Sequence, residues 1–152
     1  MAHESLEQQP PFAEIVIPEA GLGWMNEAER YQDIIKKLQE AEVYHPSSLY
    51  CGIDGEVVAR SGTFGDRRKT WAVDEAGFRR GAEDRDRYGD NVGIEHNPLS
   101  YAFTSGMNPA LVVYDKEAFK HPADDDSYSD NIWELKDGYR MDEAVRCVIY
   151  FS

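Results

Sequence analysis

Residues 110–114 read Ala-Leu-Val-Val-Tyr, a continuously apolar stretch between Pro109 and Asp115. A run this short, carrying two β-branched residues, predicts a strand buried on both faces. The reading extends outward from it. Downstream, Ala144–Phe151 (AVRCVIYF) predicts a last strand, and Asn131-Ile132-Trp133-Glu134-Leu135 a short one closed by Asp137-Gly138. Lys116 to Lys120 reads as a short turn, and residues 121–130 as a solvated loop. Upstream, Thr70-Trp71-Ala72-Val73 predicts another short strand. Leu49–Ile53 and Glu56–Arg60 predict a hairpin, because Asp54-Gly55 between them is a two-residue turn pair. Phe12 to Ile17, with its run Ile15-Val16-Ile17, predicts a strand ended by Pro18, with a turn at Gly21 and Gly23.

Helical periodicity is confined to a smaller part of the chain. From Asn26 to Val43 the residues Ala28, Tyr31, Ile35 and Leu38 recur at helical spacing. Asn26 can cap this helix, with Glu29 three residues on completing a capping box. Asp74 can cap a short helix running through Phe78 to Arg80, and residues 81–98 read as a polar loop rich in Gly and Asp. One clear amphipathic helix (26–43) with about six short strands, clustered C-terminally, predicts an α+β fold. Parallel crossovers need intervening helices that the pattern lacks, so the sheet is expected to be mainly antiparallel. Residues 1–11 read as a flexible N-terminal tail and 12–152 as a single domain.

Composition narrows the class. The chain has 152 residues, 29 Asp and Glu against 16 Lys and Arg, and a formal net charge of −13. Leu, Ile, Val and Phe make up about a fifth of it, the border of the disordered class for a highly charged chain. Nine Tyr and three Trp argue for a packed core instead. No apolar run reaches membrane-spanning length, and the N-terminus lacks the basic and apolar regions of a secretion signal. Two cysteines make no disulfide framework. A cytoplasmic protein is expected. The charge disfavours non-specific nucleic-acid binding. Arg67, Arg68, Lys69, Arg79, Arg80, Arg85 and Arg87 form a local basic stretch, which reads more simply as a solvated face paired with Asp84, Asp86 and Asp90.

Two motifs carry candidate chemistry. Asp84, Asp86, Gly89 and Glu95 stand at positions 1, 3, 6 and 12 of a calcium-loop pattern, with Asp90 also inside it. Calcium needs oxygen ligands at alternating positions and a closing Glu, so Asp84, Asp86, Asp90 and Glu95 are the candidate metal ligands. Tyr88 stands where that pattern has an oxygen ligand, and in a chain this acidic partial matches arise by chance. His3, His45, His96 and His121 have no metal-ligand spacing, and no G-x-S-x-G, P-loop or G-x-G-x-x-G occurs.

The second is an order of segments: LYCGID at 49–54, then YAFTSGMNPALVVYDKEAF at 101–119, then IWELKDGYRMDEAVRCVIYF at 132–151. In this order the chain resembles bacterial and phage ADP-ribosyltransferase-like domains over residues 48–151. The resemblance implies NAD as cofactor and a macromolecular acceptor, often protein. It implies Glu134 as the catalytic carboxylate. It also implies cofactor contacts from Tyr50, Cys51 and Gly52 on the opening strand and from Tyr101, Phe103, Thr104 and Ser105. Cys51 stands where that family carries His or Arg. Each residue also has a plainer role: Tyr50, Tyr101 and Phe103 as core aromatics, residues 104–106 as a turn, and Glu134 as one acid among many.

A second reading is a non-catalytic acidic protein that docks a basic partner surface, its charge speeding association. Asp124, Asp125, Asp126 and Asp130 would then be the contacts to test first.

Overall fold

A computed structural model of the chain describes residues 12–54, 71–89, 98–99, 109–121, 131–139 and 141–152. The predicted second hairpin arm, the basic residues 67–69, and the acids 124–126 and 130 lie outside them. The elements run β1 (Ala13–Ile17), α1 (Glu19–Leu22), α2 (Glu27–Glu40), β2 (Ser48–Asp54), β3 (Trp71–Asp74) and α3 (Glu75–Tyr88). They continue with β4 (Pro109–Asp115), a 3-10 turn (Lys116–Ala118), β5 (Phe119–Lys120), β6 (Ile132–Leu135), α4 (Met141–Ala144) and β7 (Val145–Phe151).

The described strands form one seven-stranded sheet in the order β1-β7-β4-β2-β3-β6-β5. The α+β class stands, but the sheet is mixed rather than mainly antiparallel. The difference lies at one edge, where β1 runs parallel to β7 from Ala13↔Cys147 to Ile17↔Phe151. Expecting antiparallel pairing presumed that a parallel pair needs a helical crossover between consecutive strands. Here the parallel partners are the first and last strands, and the rest of the chain makes the connection. The strand read at 110–114 sits near the sheet's centre, paired with β2 and β7. Its residues 110–114 are all fully buried, as a run without alternation requires.

Helices α2 and α3 pack together on one face. Beneath them lies a core of Tyr31, Ile34, Leu38, Tyr50, Phe78, Val113, Cys147 and Ile149, among others. The other face carries a second apolar cluster around Leu49, Val112, Tyr114, Phe119 and Val148. The alternation of β2 and β7 sends Cys51 to this second face and Cys147 to the first, so the two thiols form no disulfide. Burial pushes the Cys147 thiol up to about 12. None of the described helices is long and apolar enough to cross a membrane.

The N-terminus of α2 is satisfied from two directions. Asn26 and Glu29 form the expected capping box. The amides of Glu27 and Ala28 donate to Oδ1 and Oδ2 of Asp86, at 2.9 and 3.0 Å. Asp86 therefore caps a neighbouring helix and draws a negative charge to its positive end. Asp86→Ala is expected to lower stability by about 1 kcal/mol, read from urea unfolding. An unchanged midpoint would mean that water serves these amides equally well.

Residues 81–88 differ from the expected loop: α3 continues through them to Tyr88. Its buried stripe is Gly77, Phe78, Gly81 and Ala82, only one of them a large apolar residue. The stripe was hidden because glycine contributes no hydrophobicity to the pattern while still allowing close approach. A Cβ at Gly77 would lie 2.6 Å from the Asn131 Cβ.

Candidate functional site

β2, β3 and β6 lie side by side, and their register sets what can meet. Leu49 and Tyr50 pair with Asp74 and Val73. Trp71 pairs with Glu134 and Val73 with Ile132. Continued along β2, the same register brings Gly52 level with Trp71 and hence with Glu134. Alternation puts Tyr50 and Ile132 in the core on the helix-bearing face, and with them the positions of Gly52 and Glu134. Two strand spacings, about 10 Å, separate the Gly52 and Glu134 backbones. Glu134 is half-buried, and its carboxylate has no hydrogen bond or ion pair among the described residues.

The other candidate residues fall elsewhere. Tyr50 is 1% exposed, and its ring packs against Phe78 at 5.0 Å between centroids. Cys51 faces the opposite side of the sheet. Tyr101, Phe103, Thr104 and Ser105 lie outside the described residues, as do Asp90 and Glu95 of the calcium-loop pattern. Asp84 and Asp86, its first two ligand positions, belong to the last turns of α3 rather than to a loop. Both Asp86 oxygens already accept amide hydrogens of α2. Among the described residues no group of three or more His, Cys, Asp or Glu could hold a metal ion.

Two polar constellations near this row were not legible as such. In one, Glu75 at the start of α3 accepts from the Tyr31 hydroxyl at 3.0 Å and from the Tyr44 hydroxyl at 2.5 Å. The three residues come from different elements, so no spacing in the sequence announces them. Burial, then the hydrogen bond to Glu75, raises Tyr31 well above the ordinary phenol range. Tyr44's own hydrogen bond to Glu75 is the main reason it is pushed up to about 12. Burial raises Tyr50 further still.

The sign of this effect makes a prediction. A phenol harder to ionise in the folded state contributes stability that is fully present below its ordinary value near 10. That contribution is lost as pH rises through about 12 for Tyr44. Unfolding followed between pH 9 and 12 is expected to show falling stability, with a shallower fall in Tyr44→Phe. Parallel curves for the two proteins would remove Tyr44 from the account.

In the second constellation, Asp74 gathers three donors. Its Oδ1 accepts the Gly77 amide at 2.9 Å and Asn131 Nδ2 at 2.9 Å, and its Oδ2 accepts Trp133 Nε1 at 3.3 Å. Trp133 also stacks on His121, at 3.7 Å between ring centroids, and holds the Lys116 ammonium 4.3 Å from its own centroid. The residue beside Glu134 is thus fixed from several sides, and the short strand β6 with it.

Comparisons with protein-family models, with curated proteins and with solved structures found no match.

Proposed function

We propose that this protein is an NAD-dependent ADP-ribosyltransferase-like enzyme that modifies a macromolecule. The observation that carries the reading is Glu134, a half-buried carboxylate with no hydrogen bond or ion pair among the described residues, on the same sheet face as Gly52 of the opening strand and opposite Lys120 of β5. Cleaving the bond between nicotinamide and ribose builds positive charge on the sugar, and a fixed negative charge nearby stabilises it. Glu134 would serve that role. Gly52, lacking a side chain, leaves the neighbouring strand open to close approach.

The fit to NAD is partial. Glu134 and Gly52 suit it, while Tyr50 is committed to the core and Cys51 lies on the other face. The enzyme in this reading relies on the carboxylate and the sheet backbone, with no His or Arg contributed by residues 50–52.

The test is thermal unfolding with and without millimolar NAD, followed by assay of nicotinamide release. Binding to the folded state alone raises the midpoint by mass action, and that rise is the expected result. Absence of both a shift and nicotinamide release would overturn the proposal. Capture of a basic partner, weakening with added salt, would then favour the acidic docking reading that the net charge of −13 supports.

A further inference from the structure

Where β2 begins and β4 ends, the chain forms a groove of about 470 Å³ that shares Asp115 and Glu117 with an adjoining one of about 330 Å³. The first volume lies within the range of small-molecule sites. The groove opens beside Trp133, whose side chain leaves β6 on the face opposite Glu134, so it is separate from the Gly52–Glu134 row.

The two halves differ in character. In the larger, a register shift between Val113 and Tyr114 leaves Arg146 as an extra residue on β7. Such a bulge re-aims a side chain. Arg146 reaches Ser48 Oγ at 3.1 Å and Asp115 Oδ1 at 3.1 Å, so its charge and that of Asp115 are mutually satisfied. Lys116 is different. Its ammonium lies over the Trp133 ring, and among the described residues it has neither a hydrogen bond nor an ion pair. The His45 Nδ1 accepts the Ser47 amide at 3.0 Å, which assigns the ring proton to Nε2. The larger groove therefore presents a cation and an imidazole N–H without acceptors among the described residues. The smaller one is lined by Asp115, Glu117 and Glu143, with Tyr139 beside them.

We infer that this double groove binds a small zwitterion, its anionic end at Lys116 and His45 and its cationic end toward Glu117 and Glu143. A purely anionic ligand would meet the carboxylates, and a purely cationic one would leave Lys116 unanswered. The dipolar lining matches a molecule with both charges, such as a free basic amino acid. The inference does not depend on the proposed enzymatic function.

Titration calorimetry with three probes tests it: arginine, agmatine (the same cation without the carboxylate) and succinate (anion only). Arginine is expected to bind at least about tenfold more tightly than either control, the effect of one charge-assisted contact. Lys116→Gln and Glu143→Gln, each checked for an unchanged circular dichroism spectrum, are expected to weaken arginine by about tenfold. Lys116→Gln should leave agmatine unaffected. Equal binding of arginine and agmatine, indifference of arginine to both variants, or no arginine binding up to about 10 mM would each overturn the inference. Whether NAD shifts the melting temperature bears on Glu134 alone, so failure of one proposal is distinguishable from failure of the other.

Discussion

Glu134→Gln is expected to reduce nicotinamide release from NAD by about 10²- to 10³-fold, the usual cost of removing one preorganised electrostatic group from a transition state. The substitution keeps size and shape and deletes only the charge. Because the Glu134 carboxylate has no partner among the described residues, its loss orphans none of their donors. Stability should therefore stay within about 0.5 kcal/mol of the parent, as for substitutions remote from any network. The thermal shift given by NAD should largely persist, since a group acting on developing charge affects turnover more than ground-state binding. Parent-like turnover in the variant would refute the role of Glu134. Loss of turnover together with loss of fold would mean that Glu134 is structural.

Asp74→Ala is expected to be strongly destabilising, at about 2–4 kcal/mol. One carboxylate caps α3 through the Gly77 amide and also receives Asn131 and Trp133. The alanine variant removes the cap, worth about 1 kcal/mol, and takes away the acceptor that Asn131 Nδ2 and Trp133 Nε1 use here in a part-buried setting. Asp74→Asn should recover the cap, because asparagine is as good there as aspartate. With its oxygen in the Oδ1 position it also keeps the acceptor for Asn131 Nδ2, but not that for Trp133, since its amide N–H₂ would face the indole N–H. Urea unfolding of the parent and both variants decides the matter. The expected order is parent, then Asn, then Ala, and an Asn variant as stable as the parent would confine the role of Asp74 to its Oδ1 contacts.

Legibility in the sequence followed the range of the interactions. β4 was readable because its burial on both faces is written in consecutive residues 110–114. α2 was readable for a similar reason: its apolar stripe and its Asn26–Glu29 capping box are local patterns. The cap on α3 was equally plain at Asp74, yet its length was not. Gly77 and Gly81 in its buried stripe carry no hydrophobic signal, and at Gly77 the helix passes too close to Asn131 for a side chain. The parallel pairing of β1 with β7 joins residues more than 130 positions apart, and no local pattern encodes it.

The candidate site divides along the same line. By itself the sequence determined that the chain is an acidic α+β domain, where most strands and the main helix begin, and that Glu134 lies on a short strand before the last one. Only the tertiary structure decided that Glu134 and Gly52 share the helix-bearing face of the sheet, and that Tyr50 lies in the core. It also decided that Asp86 caps α2, and that Lys116, His45 and Glu143 border one double groove. The physical reason is that periodicity and capping act within a few residues, whereas register, face and charge pairing depend on which strands become neighbours. That choice is made by the burial of the whole sheet at once.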